Sequence, residues 1–279
     1  MSQRQFEGRV GFIGCGAMAQ ALAGGLAKAG IAAERIAGSD PEAPSREAFE
    51  GASGGTALKS NAELVGRSDV VVLAVKPGLV PEVLAEIARE PGLDRPLWIS
   101  LAAGVRIRKI ESALAASAVR IIRSMPNTPA MVGAGATGLC ANAHATESDW
   151  ANAEALFGAV GITWRAPEEA SLDAVTGLSG SGPAYVFLFL EALEAAGVAV
   201  GLPRDAAARL SLQTVYGAAQ LAREREEHPS ELREKVTSPG GTTFAGLSSF
   251  EADGFRASVE RAVRAATQRS VELSGDADD

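Results

Sequence analysis

The chain has 279 residues, 47 % hydrophobic and 22 % charged, a balance that fills a substantial core and lies outside the range of disordered chains. Lys and Arg number 26 against 34 Asp and Glu, a formal net charge of −8. That sign argues against general nucleic-acid binding, which relies on clustered cations. Two cysteines, Cys15 and Cys140, and two histidines, His144 and His228, make neither a disulfide framework nor a metal-ligand spacing. No metal is expected, and a reducing cytoplasm is the expected home.

Met1 to Arg9 is polar and lacks the apolar core of a secretory leader. From residue 10 to about 165, short β-branched runs alternate with Ala-rich stretches, the pattern of a parallel sheet with crossover helices. Strands are expected at Val10–Ile13, Arg35–Gly38, Val70–Val75, Leu97–Ser100, Val119–Ser124, Thr137–Ala141 and Ile162–Arg165. Between them Ala17–Ala29, Asn61–Gly66, Leu79–Arg89, Ile107–Ala116 and Thr146–Val160 read as helices. After residue 166 the pattern is helical, broken at Gly201-Leu202-Pro203, His228-Pro229 and Ser238-Pro239-Gly240-Gly241. The division is therefore 1–166, an α/β domain, and 167–279, an all-α domain. Pro203 suits a first helical turn. The helices of the second domain are so rich in Ala, Leu and Val that burying them calls for a second copy of the chain. Its longest apolar stretch, Ala184 to Leu202, carries Glu191 and Glu194, so no membrane role is expected. The acidic tail from Ser274 to Asp279 reads as disordered.

Gly14-Cys15-Gly16-Ala17-Met18-Ala19 follows an apolar run ending at Ile13 and opens a helix, the context a G-x-G-x-x-A phosphate loop needs. Gly14 allows the turn, Gly16 lets a pyrophosphate approach, and the helix start offers free N–H groups. At the next strand end, Asp40 suits the ribose hydroxyls of NAD or merely opens a turn, whereas Ser39 with Arg46 suits a 2′-phosphate. Ala74-Val75-Lys76-Pro77, Ser100 to Gly104 and Ser124 to Pro129 end later strands on the same sheet edge. Gly177 to Pro183 reads as an anion nest or a hinge. Thr237 to Thr243 combines hydroxyls with unblocked N–H groups before a helix, chemistry that holds a carboxylate. No histidine sits where a general acid/base would, so a reaction needing little proton traffic fits. Glu169 and Glu226 are candidate proton carriers or plain surface carboxylates.

Together the segments Gly11–Ala19, Val71–Pro77, Ser100–Val105, Met125–Ala130, Val175–Tyr185 and Val236–Thr243 resemble, in order and over nearly the whole chain, the Δ1-pyrroline-5-carboxylate reductase family. The resemblance implies a Rossmann-type N-terminal domain, an all-α C-terminal dimerisation domain, often a higher assembly of dimers, and an active site partly built by the partner subunit. It implies NADPH, with NADH possible, as the hydride donor to the C=N bond of a small cyclic imino acid, in the last step of proline biosynthesis. By the same resemblance, the cofactor residues are Ile13, Gly14, Cys15, Gly16, Ala17 and Met18 at the pyrophosphate, and Ser39 and Asn61 at the adenosine. They continue with Ala74, Val75, Lys76 and Pro77 at the nicotinamide ribose, and Ala102, Ala103 and Gly104 at the ring. Ser238, Gly240, Gly241, Thr242 and Thr243 would hold the substrate carboxylate, Glu169 would lie near the substrate, and Thr243 would serve the reacting ring. A β-hydroxyacid dehydrogenase would carry a Lys on the helix after the glycine-rich segment, and Tyr185 to Ala196 has none. An NADPH-holding sensor would not need the hydroxyl-rich loop.

Overall fold

β1 (Val10–Ile13) is buried along its whole length, as a central parallel strand covered on both faces must be. The computed structural model describes residue 6 and residues 8–114 and 118–275. After β1 come α1 (Ala17–Lys28), β2 (Ile36–Ser39), α2 (Ala43–Ser53), β3 (Thr56–Leu58), α3 (Asn61–Arg67), β4 (Val70–Leu73) and α4 (Val80–Ile87). The sheet continues with β5 (Leu97–Ser100), α5 (Ile107–Leu114), β6 (Ile121–Met125), β7 (Gly135–Ala141), α6 (Glu147–Gly158) and β8 (Gly161–Arg165). The eight strands lie in the order β3-β2-β1-β4-β5-β6-β7-β8. Leu22, Phe49 and Phe157 pack with Phe12 in one hydrophobic cluster, and Leu64, Leu84, Trp98 and Ile110 pack with Ile13 in another.

Chain order reverses at β1, which pairs with β2 on one side and β4 on the other. This is the switch point where open α/β sheets leave a crevice beyond the carboxyl ends of their strands. All neighbouring strands are parallel except β6 and β7. Their connection holds only a short 3-10 turn, Thr128–Val132, too little for a crossover helix, so β7 runs back beside β6. α6 then supplies the crossover that makes β7 and β8 parallel.

Two elements were not anticipated, α2 and β3. α2 buries only Phe49 and Ser53 and carries Pro44 in its first turn, while β3 is three residues long. Expected strand ends at Val70–Val75 and Val119–Ser124 shift by one or two residues to β4 and β6. The expected helix to Ala116 is seen as far as Leu114, and 115–117 lie outside the described residues.

The remaining helices are α7 (Ser171–Val175), which passes into a π turn over Thr176–Gly180, then α8 (Gly182–Ala199), α9 (Arg204–Arg225), α10 (Pro229–Lys235), α11 (Thr242–Ala252) and α12 (Phe255–Ser274). Pro203 stands one residue before α9 rather than in its first turn. Contacts group Met1–Ser181 with Ala265–Asp279 in one unit and Gly182–Arg264 in another. The end of α12 is ordered rather than tail: Ser274 is buried, and its carbonyl accepts from Lys109 Nζ at 2.9 Å. Residues 276–279 of the expected tail lie outside the described residues.

Within the helical unit, α8 has no buried residue, and Val186, Phe187 and Leu188 are exposed. α9 buries only Ala207, while Leu210, Leu212 and Tyr216 are exposed. Helices of this apolarity without an interior of their own require a covering surface. By length and composition alone, Ser171–Ala199 is also apolar enough to cross a bilayer.

Candidate active site

The turn from β1 into α1 is built for close backbone approach. Gly14 has φ +94, and a Cβ there would lie 2.8 Å from the Ala74 carbonyl oxygen, so a side chain is excluded twice over. Gly16 differs: its backbone is extended and a Cβ would meet nothing within 4 Å. It is the N-cap of α1 and provides no side-chain cap, so the first-turn N–H groups around exposed Ala17 and half-buried Met18 have no intrahelical acceptor. The arrangement is an open cradle for an anion at a helix N-terminus. Ile13 and Ala19 are buried beneath it.

The end of β2 braces this loop. Ser39 O accepts the Gly14 N–H at 2.8 Å, and the Asp40 carboxylate accepts the N–H groups of Cys15 and Glu42, each at 2.9 Å. Arg46 Nη1 donates to the carbonyls of Asp40 and Pro41, which places its cation at the same strand end. The Ser39 hydroxyl is buried and donates to Asn61 Oδ1 at 2.7 Å, and Asn61 Nδ2 donates to Glu86. Burial, then the charge of Asp40, pushes the Cys15 thiol up to about 12. Cys15 therefore presents no thiolate, and its backbone N–H and carbonyl are held by Asp40 and Gln20.

Two more strand ends meet the same edge. Ala74 N–H donates to Ile13 O at 2.8 Å, and Leu101 N–H donates to Leu73 O at 3.0 Å. Val75 is half-buried, whereas Lys76 and Pro77 are exposed where a short 3-10 turn begins. Ala102 is buried with its N–H donating to Ser100 Oγ at 3.3 Å, Ala103 is exposed, and Gly104 turns with φ +73. Asn127 donates to Ser179 and accepts from the Ala136 N–H at 2.9 Å, pinning the π turn to the sheet. π turns of this kind recur at functional sites.

Glu169 is not a free surface carboxylate. Its Oε1 accepts from Arg123 Nη1 and from the Ile107 N–H, both at 2.9 Å. Beside it, Arg106 Nη2 donates to Asp173 Oδ2 at 2.7 Å, and Ser270 Oγ donates to Asp173 Oδ1 at 2.6 Å. Arg106, Arg123, Asp173 and Ser270 are all buried. None was singled out in the sequence, where they stand up to 97 positions from their partners with no local motif. Glu226, the other candidate proton carrier, is the left-handed residue that ends α9.

In the helical unit, Gly241 N–H donates to Ser238 O at 3.0 Å, closing a turn in which Gly240 has φ +69. Gly241 is the N-cap of α11 and supplies no side-chain cap. Thr242 and Thr243 open the helix and are exposed. Ser238, Thr242 and Thr243 hydroxyls thus flank first-turn N–H groups that no intrahelical carbonyl satisfies, a setting suited to a carboxylate. Among the described residues no group of His, Cys, Asp and Glu is arranged to hold a metal ion.

Residues 169–273 match the family model described as pyrroline-5-carboxylate reductase dimerisation, and residues 9–104 match the one described as NADP oxidoreductase coenzyme F420-dependent. The pyrroline-5-carboxylate reductase of Pseudomonas aeruginosa is 47 % identical over 95 % of this chain and 97 % of its own length. A solved pyrroline-5-carboxylate reductase from Coxiella burnetii superposes with a TM-score of 0.91 at 39 % identity, covering 95 % of this chain and 98 % of that one. The Plasmodium falciparum pyrroline carboxylate reductase, solved with NADP bound, gives a TM-score of 0.83 at 34 % identity, covering 97 % and 100 %.

Proposed function

The chain belongs to the pyrroline-5-carboxylate reductase family, and from that premise we propose that it works by alignment of two bound reactants rather than by strong acid–base catalysis. It is an oxidoreductase acting on CH–NH groups, reducing the C=N bond of 1-pyrroline-5-carboxylate with a nicotinamide cofactor to give proline, the last step of proline biosynthesis. It carries the family's dimerisation region and forms a homo-oligomer. We take the unit of assembly to be a homodimer, open to further association, with the exposed apolar faces of α8 and α9 covered by the partner. The cytoplasm is its place of work.

The observation that carries the mechanism is the uncapped start of α11. The substrate carboxylate binds there, to the N–H groups of the first turn and to Ser238, Thr242 and Thr243, with Gly240 and Gly241 keeping the approach clear. Once protonated, the C=N carbon is an electrophile. A bound nicotinamide would supply the hydride to that carbon, the π pair passing to the protonated nitrogen to give the cyclic amine. Holding the ring by its carboxylate converts the encounter into an oriented, effectively unimolecular step. Thr243 hydrogen-bonds the ring nitrogen as the amine forms. Glu169, the family's substrate neighbour, keeps its tie to Arg123.

The cofactor would lie along the sheet edge, with Gly14 to Met18 at the pyrophosphate, Ser39 and Asn61 at the adenosine portion, Ala74 to Pro77 at the nicotinamide ribose, and Ala102 to Gly104 at the ring. NADPH is the preferred donor. The Asp40 carboxylate is committed to two backbone N–H groups, which supports a site without an acid for the ribose hydroxyls, and Arg46 supplies a cation for a 2′-phosphate. Steady-state oxidation of NADPH and NADH with pyrroline-5-carboxylate, side by side, tests this. A higher kcat/KM with NADPH is expected, and a higher value with NADH overturns the cofactor assignment.

A further inference from the structure

β8 ends the sheet, with β7 on one side and, among the described residues, no strand on the other. Gly135 N–H donates to Val160 O and Ala166 N–H donates to Leu139 O at the two ends of the β7–β8 pair. Alternation along a parallel pair then turns the N–H and C=O groups of Gly161, Thr163 and Arg165 toward the open edge. The two faces of the strand differ. On one, Arg165 reaches α6, where its guanidinium lies 4.7 Å from the Trp150 ring centroid and bonds Glu154 at 2.6 Å and Glu147 at 3.1 Å. On the other, Ile162 and Trp164 are 70 % and 51 % exposed.

An unpaired edge flanked by large apolar side chains invites pairing, and native proteins normally blunt it with Pro, Lys or a bulge. Gly161–Arg165 has neither Pro nor Lys, and its one charge is already matched by glutamates of the same chain. We propose that a second copy of this chain covers the open edge and the Ile162–Trp164 face of β8, so that the subunit contact extends past the helices into the sheet. The inference rests on the homo-oligomeric reading above. Continuity along the chain identifies the occupant: Arg165 stands four residues before Glu169, the first residue of the dimerisation match, a span of at most about 14 Å of extended chain. A two-fold contact also brings like edge to like edge, and an open strand edge is self-complementary.

The test uses the assembled, full-length protein. Ile162→Lys, at a position already open in the single chain, is expected to raise the dissociation constant of the assembly at least tenfold in sedimentation, with an unchanged far-ultraviolet circular dichroism spectrum. An unchanged dissociation constant overturns the proposal. Should that variant misfold, the difference in emission between the unmodified protein and Trp164→Phe isolates Trp164. In the assembly its emission is expected to be blue-shifted and several-fold less quenched by acrylamide than in protein diluted to single chains. Red, freely quenched Trp164 emission from protein that sediments as an oligomer overturns the β8 contact while leaving helical dimerisation intact. A protein that sediments as a monomer throughout overturns both.

Discussion

The carboxylate of Asp40 accepts the backbone N–H of Cys15 at 2.9 Å, so the acidic residue at the end of β2 serves as a brace for the phosphate loop. With its second oxygen on the Glu42 N–H, Asp40 holds the loop and the strand end in one piece. Asp40→Ala leaves both donors without that acceptor, at a cost of about 1–3 kcal/mol of stability. Because the damage is to loop geometry, KM for NADPH and NADH is expected to rise by similar factors. A variant that loses NADH activity alone, with an unchanged Tm, would show Asp40 to be a ribose ligand instead.

The two glycines of the loop make opposite predictions. At Gly14 a methyl group meets the Ala74 carbonyl in a left-handed backbone, so Gly14→Ala is expected to lower stability by more than about 2 kcal/mol. At Gly16 the backbone is extended and the space is open, so Gly16→Ala is expected to fold with stability within about 0.5 kcal/mol of the parent. Its methyl would occupy the place of the pyrophosphate, and cofactor affinity is expected to fall about tenfold or more. Thermal melts and NADPH fluorescence titrations on the two variants separate the effects. An undisturbed affinity in Gly16→Ala would remove the pyrophosphate from this cradle.

Much of this site was legible because it is local. β1, the glycine turn and α1 are contiguous, and each residue type has a separate reason to be there. The open start of α11 is likewise carried by one run of seven residues, Thr237 to Thr243. What the sequence concealed depends on distant partners or on short elements. β3 is too brief to show alternation, and α2 has one large buried side chain, Phe49, in a polar stretch. The Arg106–Asp173–Ser270 group joins the loop before α5 to α7 and α12, and no periodicity places a serine of the last helix beside an aspartate 97 positions earlier.

That group is expected to be sensitive to loss of charge. Arg106 and Asp173 side chains are 7 % and 3 % exposed, so Asp173→Asn removes the carboxylate from a buried ion pair of 2.7 Å. A cost of about 3–5 kcal/mol is the usual consequence. Ser270→Ala removes one hydrogen bond to the same carboxylate and should cost about 1–2 kcal/mol. The double variant should be less destabilised than the sum of the two, since both act through one carboxylate. Additive losses in urea melts would mean that the serine acts independently of the aspartate.

Thr243 tests the substrate end. It is exposed in the first turn of α11, so Thr243→Ala leaves the fold and the Tm nearly unchanged. If its hydroxyl serves the reacting nitrogen, kcat falls by about a hundredfold while KM for NADPH barely moves, and Thr243→Ser restores most of the rate. A loss confined to KM for pyrroline-5-carboxylate would leave the hydroxyl with the carboxylate alone and remove it from the reacting nitrogen.

Cys15 gives the pH dependence. Its thiol is buried, and burial together with Asp40 raises its pKa from 9.0 to about 12. Below pH 9 the thiol is protonated in both folded and unfolded chains, and its contribution to stability is fully present. Between pH 9 and about 12 the unfolded chain releases the proton while the folded one keeps it, so stability falls as pH rises. The slope approaches about 1.4 kcal/mol per pH unit for this one group. Denaturant melts from pH 8 to 10.5 should show the fall, and Cys15→Ala, though less stable at pH 8 through its lost packing, should show a shallower one. The same burial predicts that iodoacetamide leaves Cys15 unlabelled at pH 8 in the native protein and labels it in urea. An equal slope in the variant, or rapid native labelling, would place the thiol in water and detach it from the underside of the phosphate loop.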